Sequence, residues 1–138
     1  MAGETTALAR GSQRFGRKLS NTALCANPFT LAFGTTANQV NDIMQAGYIP
    51  AGVTLLGFFV VATDMDTNVS PAVVHQILLS TTALVSGITL GQGAGSGFYP
   101  CTPTTTTAAT VLNVKTTTAA ATAATGTMYL TPLYFSAS

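Results

Sequence analysis

The feature that most constrains the fold is an uncharged, strongly apolar stretch at residues 53–63, VTLLGFFVVAT. Its alternate positions form two apolar sets: Val53, Leu55, Phe59 and Val61, and Leu56, Phe58, Val60 and Ala62. Successive side chains of a strand point to opposite faces, and β-branched and aromatic residues favour strands. The stretch therefore predicts a strand that is buried on both faces, one against the core and the other against another subunit.

Strand patterns recur along the rest of the chain, whereas no long window keeps the apolar spacing of a major helix. Further strands are predicted at residues 29–33, ending at Gly34, at 73–80 and 83–90 as a hairpin, at 109–117 and 126–135, and around 40–49. Seven or eight short strands predict an all-β, jelly-roll-like β-sandwich, with residues 29–138 as its body. Residues 1–28 are predicted to form an extended N-terminal arm, and such a core needs no cofactor.

Two prolines and a glycine run complicate the second half. The segment 91–97, GQGAGSG, is predicted to be loop, and so is FYPCTPTTTT after it. The glycine run lacks the G-K-[ST] end of a P-loop and the third glycine of a dinucleotide-binding turn, so nucleotide binding is disfavoured. Pro132 has no backbone donor, which predicts that the last strand is an edge strand or a bulged one.

Charge is scarce. Charged residues make up 7% of the chain, with a formal net charge of +1, against about 25% in ordinary soluble domains. A surface so poor in ionised groups favours association with neighbours. The composition therefore indicates a subunit of an assembly and disfavours a free-standing enzyme.

The few cations cluster near the N-terminus, with only Lys115 following them. The arm carries Arg10, Arg14, Arg17 and Lys18, with Phe15 as its one aromatic residue. Nucleic-acid binders usually show a denser basic face with stacking aromatics, so nucleic-acid contact is disfavoured against a solvated arm or one that meets an acidic protein neighbour. Residues 1–20 lack the apolar stretch of a secretion signal, and the longest apolar run, 49–62, is too short and interrupted to anchor the chain in a membrane.

Two carboxylates follow the apolar strand, Asp64 and Asp66. At positions i and i+2 they could face the same way and chelate a hard cation such as calcium, but calcium needs six to eight oxygen ligands. The segment DMDTNVSP is rich in residues whose side chains bond their own backbone in turns. A turn is therefore the favoured interpretation, and no metal site is predicted.

Other reactive residues stand alone. His75 is the only histidine and lies on a predicted strand without a nucleophile motif nearby, which favours a structural or interface role. Cys25 and Cys101 belong to no C-x-x-C pair and are predicted to be small buried side chains, with a bridge between them left open. The sequon at Asn68 matters only in a secreted chain.

Several stretches together resemble small virion proteins of tailed bacteriophages, with capsid cement (decoration) proteins as the nearest group. They are YIPAGVTLLGFFVVATDMDT, VVHQILLS, the glycine-rich segment and ATVLNVKTTTAAATAATGTMYLTPLYF, and the resemblance covers about residues 29–138. It implies a jelly-roll-like body, often trimeric, on the outer face of the head, where it ties major capsid subunits together without catalysis. Such a protein is a virion component assembled in the host bacterial cytoplasm, and its arm would reach an adjacent subunit.

Alternative functions stay open at this point. A neck, tail or head-fibre subunit would share the same sequence features. A carbohydrate-binding or adhesin module could stack sugars on Tyr99, Tyr129 and Tyr134. No acid, base and nucleophile set supports an enzyme, and no small-molecule substrate, cofactor or membrane partner is predicted.

Overall fold

Two antiparallel β-sheets form the part of the chain that the computed structural model describes, residues 25–26 and 28–136, with only the backbone described for Cys25 and Ala26. The strands in chain order are β1 (Cys25–Ala26), β2 (Phe29–Phe33), β3 (Ile43–Ile49), β4 (Val53–Ala62), β5 (Val74–Leu79), β6 (Thr82–Ile88), β7 (Gly95–Thr105), β8 (Thr110–Thr118) and β9 (Gly126–Ser136). A single turn of 3₁₀ helix, Leu90–Gln92, precedes β7. In these described ranges, no helix is long and apolar enough to cross a bilayer.

The sheets differ in their strand order. In sheet 1, β9 lies between β4 and an edge formed by β1 and β2, and β7 forms the opposite edge beyond β4. In sheet 2 the order is β3–β8–β5–β6. Consecutive strands alternate between the sheets, apart from the β1–β2 run and the β5–β6 hairpin. The predicted all-β sandwich is confirmed, while its jelly-roll character stays a prediction.

The core lies between the inner faces of the two sheets. Sheet 1 contributes fully buried side chains such as Leu55, Phe58 and Leu130, and sheet 2 contributes Ile77 and Leu112. Burying each of these side chains contributes on the order of 2 kcal/mol before entropy is counted. This apolar interior holds the fold together.

Within one chain, the central strand β4 buries one face in the core and leaves Phe59 and Val61 of the other face exposed. The predicted burial of that second face against another subunit stays a prediction. In its pairing with β9, β4 steps from Leu55 opposite Tyr134 to Gly57 opposite Leu133, so β4 has one extra residue there, Leu56. An extra residue at such a bulge reverses which alternate positions point inward. Leu55 therefore points into the core before the shift and Phe58 does so after it, which leaves Phe59 and Val61 on the outer face, 50% and 45% exposed.

The segment predicted to be loop after the glycine run instead forms β7, an eleven-residue strand. Among the described strands, β7 pairs only with β4 and is therefore an edge strand. An edge strand leaves alternate N–H groups without a ladder partner, so it tolerates residues such as Pro100 and Pro103 that have no donor. The threonines at the end of β7 also favour a strand, because their side chains are β-branched.

The prediction for Pro132 is half right. Strand β9 is central and not an edge, but its pairing with β4 does shift register between Leu133 and Tyr134. On its other side, the partners of β9 end with β2 at Leu130 and resume with β1 at Leu133. Pro132 therefore lies opposite the gap between β1 and β2, where no donor is needed.

The boundary of the predicted arm remains a prediction. Residues 1–24 lie outside the described residues. Cys25 and Ala26 pair with Tyr134 and Leu133 of β9, which places the chain at the edge of sheet 1 before β2 begins.

Candidate functional site

The five arm residues predicted to contact a capsid lie outside the described residues: Arg10, Arg14, Phe15, Arg17 and Lys18. The candidate sites that can be described are therefore on the β-sandwich. They are the acidic loop after β4, the buried histidine on β5, and the outer face of sheet 1.

Three consecutive side-chain turns shape the acidic loop. The side-chain Oδ1 atom accepts the backbone N–H of the residue two positions later at Asp64 (3.0 Å), Asp66 (3.3 Å) and Asn68 (2.9 Å). Short polar side chains commonly bond their own backbone in this way. The geometry agrees with the interpretation of this segment as a turn.

Asp66 has a second role, because its buried carboxylate joins two loops. Besides the N–H of Asn68, it accepts the backbone N–H groups of Ala72 at 2.7 Å, Val73 at 3.2 Å, Ala121 at 2.8 Å and Thr122 at 2.8 Å. Burial alone would raise the pKa of Asp66, but the backbone hydrogen bonds outweigh that effect and hold the pKa well below its ordinary value. The carboxylate is thus ionised and internally neutralised by N–H dipoles.

This arrangement disfavours the alternative of a calcium site on Asp64 and Asp66. Both oxygens of Asp66 already face N–H groups, which a cation would have to displace. Within residues 25–26 and 28–136, no three His, Cys, Asp or Glu side chains come together as a metal-binding group. The loop is best explained as a structural clamp.

His75 lies in the interior, between the ring of Phe33 and the loop that carries Asn38. Its Nε2 atom is 2.7 Å from Oδ1 of Asn38, and the hydroxyl of Thr116 donates to the same oxygen at 3.2 Å. Because that oxygen can only accept, Nε2 carries the proton and Nδ1 does not. Nδ1 is buried and has no hydrogen-bond partner among the described residues.

Burial lowers the pKa of His75 to about 4. The side chain is fully buried, so a substrate has no access to it. Gly91 leaves room for this packing, because a Cβ atom there would lie 3.2 Å from Cε1 of His75, a tight contact. The first glycine of the run thus serves the packing of the core.

The outer face of sheet 1 carries a group of exposed apolar side chains that the sequence did not reveal as a unit. We define the apolar patch as Phe59, Val61, Phe98 and Tyr129. Phe59 lies directly opposite Phe98, and Val61 lies directly opposite Tyr129. The rings of Phe59 and Phe98 are 4.8 Å apart between centroids, with an interplanar angle of 49°.

Gly57 lies under this patch. A Cβ atom at Gly57 would come within 2.6 Å of Cζ of Phe98 and 2.9 Å of Cα of Pro100. The missing side chain leaves room for the Phe98 ring beside Gly57, which is itself buried. The only signal for the patch was the apolar character of β4, because the position of Phe98 depends on pairing that was not predicted.

The three tyrosines that could stack on sugars do not share one surface. Tyr99 and Tyr134 are partly buried and pack against the core. Tyr129 belongs to the apolar patch and is 46% exposed. The geometry therefore provides no common aromatic platform for a sugar.

Cys101 on β7 also faces inward. Its side chain packs against the core, and its thiol donates to the backbone oxygen of Leu55 at 3.8 Å. Burial raises the pKa of this thiol.

No protein-family profile matches the chain, and no curated protein matches its sequence. Solved structures nevertheless share its fold. A chain in the structure of the cyanophage Pam1 capsid asymmetric unit matches with a TM-score of 0.70 and 23% identity, over 96% of this chain and 93% of that one. A chain of the capsid of Ralstonia phage GP4 matches with a TM-score of 0.72 and 18% identity, over 85% and 87%.

A third likeness is weaker. A chain in the acid-stable capsid structure of Helicobacter pylori bacteriophage KHP30 matches with a TM-score of 0.52 and 13% identity, over 82% of this chain and 89% of that one. At these identities the likeness shows the fold. The chain is therefore an all-β sandwich of a kind found in bacteriophage capsid structures.

Proposed function

We propose that this protein is a structural component of a bacteriophage virion, namely a capsid cement (decoration) protein. It would bind the outer face of the head and stabilise contacts between major capsid subunits. The main support is the fold likeness to chains from three phage capsid structures, which spans 82–96% of this chain and 87–93% of theirs. Such mutual coverage means that most of this chain corresponds to most of each of those chains.

Two properties of the chain support a role inside an assembly. Charged residues make up only 7% of the sequence, and the described part exposes an apolar patch of two phenylalanines, a valine and a tyrosine. Both properties favour association with other subunits over a monomer that stays dispersed in solution. The one histidine is sealed in the core, which supports a role without catalysis.

The arm would extend the contact to a neighbouring capsid subunit through Arg10, Arg14, Phe15, Arg17 and Lys18. Four cations would meet an acidic surface of the major capsid protein by electrostatic complementarity. The body would assemble as a homotrimer on the head. The alternating strand order of the two sheets supports the jelly-roll assignment that accompanies this proposal.

The test is co-sedimentation of the purified protein with heads that lack it. The proposal expects saturable binding, with a copy number close to that of the major capsid protein. Binding in about a dozen copies would indicate a neck protein instead, from the symmetry of that site. Absence of binding would contradict the proposal.

A matched pair of variants tests the arm. Replacing Arg10, Arg14, Arg17 and Lys18 by serine should weaken binding to heads, whereas Lys115→Ser, which removes a cation from the body, should leave binding nearly unchanged. Equal effects of both changes would assign no special role to the arm.

A further inference from the structure

We propose that copies of this chain associate with each other through the outer face of sheet 1, centred on the apolar patch. The inference deepens the proposed function by naming the self-association surface, and it rests on that function only in expecting an oligomer. In a closed oligomer this face would turn toward the symmetry axis, where identical residues of the copies meet.

The outer face of sheet 1 carries no Asp or Lys side chain of the described residues. The described residues contain four ionisable Asp and Lys side chains, and none lies on this face. Asp42 precedes β3, Asp64 and Asp66 lie in the loop after β4, and Lys115 is on β8 of sheet 2. At a symmetry axis a charged side chain would meet its own copies and be repelled. This face avoids that repulsion.

The outer faces of the two sheets differ in the side chains that they carry. On sheet 2, Lys115 is paired in register with Ile43 and Gln76, and Gln76 donates to the hydroxyl of Ser86 at 2.8 Å. The outer face of sheet 1 instead holds two apolar cross-strand pairs, Phe59 with Phe98, whose rings are tilted by 49°, and Val61 with Tyr129. Strand β3 of sheet 2 also exposes Ile43 and Tyr48, at 54% and 63%, but Ile43 lies beside Lys115. Association through sheet 1 therefore buries apolar area without removing a charge from water.

The N-terminal arm is the alternative to a second copy as the segment that covers the outer face of sheet 1. The N-terminal segment of the chain carries Arg10, Arg14, Arg17 and Lys18, and covering this face with it would remove cations from water where no carboxylate could pair with them. A second copy of the same uncharged face presents no such cost. The face thus fits its own copy better than it fits the arm.

The outer face of sheet 1 has about the area that a specific protein contact needs. Strand β9 has eleven residues, so at about 3.3 Å per residue it is about 36 Å long, and four strands about 4.8 Å apart give a face of roughly 700 Å². Stable protein contacts bury about 800 Å² on each partner. One sheet face therefore supplies nearly all the area that a specific contact needs.

The experiment compares the native mass of the full chain with that of two variants by native mass spectrometry and light scattering. Val61→Lys places a cation in the patch at a position that is 45% exposed, and Val69→Lys is the matched control, because Val69 is 99% exposed on the acidic loop. We expect the wild type and Val69→Lys to form the same oligomer. The dissociation constant of the Val61→Lys oligomer should be larger by on the order of a hundredfold. Circular dichroism should show an intact fold.

A monomeric wild type, or a Val61→Lys variant that keeps the oligomer, would overturn the inference. If Val61→Lys remains oligomeric but no longer binds heads, the face contacts the capsid and the inference is also overturned. An oligomeric wild type that Val61→Lys dissociates, yet that never binds heads, would support the inference and contradict the proposed function. A repeat with Tyr129→Lys guards against a local effect at Val61.

Discussion

The carboxylate of Asp66 accepts a hydrogen bond from the backbone N–H of Ala121 at 2.8 Å, across 55 positions of sequence. Its other oxygen accepts the N–H of Thr122 at the same distance. These two residues belong to the alanine- and threonine-rich connector between β8 and β9, which has little side-chain chemistry of its own. Asp66 therefore gives a low-complexity connector a fixed place beside the loop after β4.

Asp66→Asn should lower the free energy of unfolding by about 3 kcal/mol, because an amide offers one acceptor oxygen and turns an NH₂ group toward buried donors. The measurement is chemical denaturation at neutral pH. Asp64→Asn is the control, since an asparagine oxygen can still accept the N–H of Asp66 in the exposed turn. It should change stability by less than about 0.5 kcal/mol. Similar losses in both variants would contradict the clamp.

Acidification should destabilise the protein first through His75. Its pKa is lowered from 6.5 to about 4 by burial, so between these pH values the unfolded chain binds a proton that the folded protein does not. Stability is fully present above about pH 6.5 and declines as pH falls toward 4, by about 3 kcal/mol in total. Asp66 adds a further loss only below its ordinary pKa of 3.8, because its folded pKa is lowered.

Denaturation midpoints measured from pH 7 to pH 4 test this dependence. His75→Gln keeps a donor for Asn38 and removes the titrating ring, so its stability should vary much less over the same interval. The slope against pH is the informative quantity, because the variant is also expected to be less stable at pH 7. A wild-type slope that persists in His75→Gln would assign the effect to other groups.

Local sequence patterns predicted the elements that depend on neighbouring residues. The β5–β6 hairpin follows from two apolar runs and the polar connection between them, where Ser80 adopts a positive φ of 56°. The side-chain turns at Asp64 and Asp66 could be predicted for the same reason. The hydrogen bonds from the connector to Asp66 could not be predicted, because no sequence pattern indicates that these two segments lie together.

Features set by non-local pairing could not be predicted. The tolerance of Pro100 in β7 depends on the edge position of that strand, which only the finished sheet defines. The exposure of Phe59 depends on the extra residue, Leu56, in the pairing of β4 with β9. The part of the apolar patch that the sequence did not predict is therefore Phe98, which was expected in a loop and instead lies in β7.

Gly57→Ala should destabilise the fold by about 1–3 kcal/mol, the usual cost of overpacking. The new methyl group would lie 2.9 Å from Cα of Pro100 and from the carbonyl oxygen of Tyr99, which are backbone atoms that move only if β7 shifts. Gly34→Ala is the control, because a Cβ atom there meets nothing within 4 Å. Thermal unfolding of both variants checks the prediction, and an unaffected Gly57→Ala would show that β7 is not held closely against β4.

The two cysteines should remain unbridged within one chain. Cys25 lies in β1 and Cys101 in β7, on opposite edges of sheet 1 with β9 and β4 between them. Three strand spacings of about 4.8 Å separate their backbones by about 14 Å, whereas a disulfide needs Cα atoms within about 7 Å. Thiol titration of the denatured, unreduced protein should therefore count both cysteines of the sequence. In the folded protein Cys101 should react slowly, because burial raises the pKa of its thiol, and Cys101→Ser should remove that slow phase. A monomer without free thiols would contradict the strand order of sheet 1.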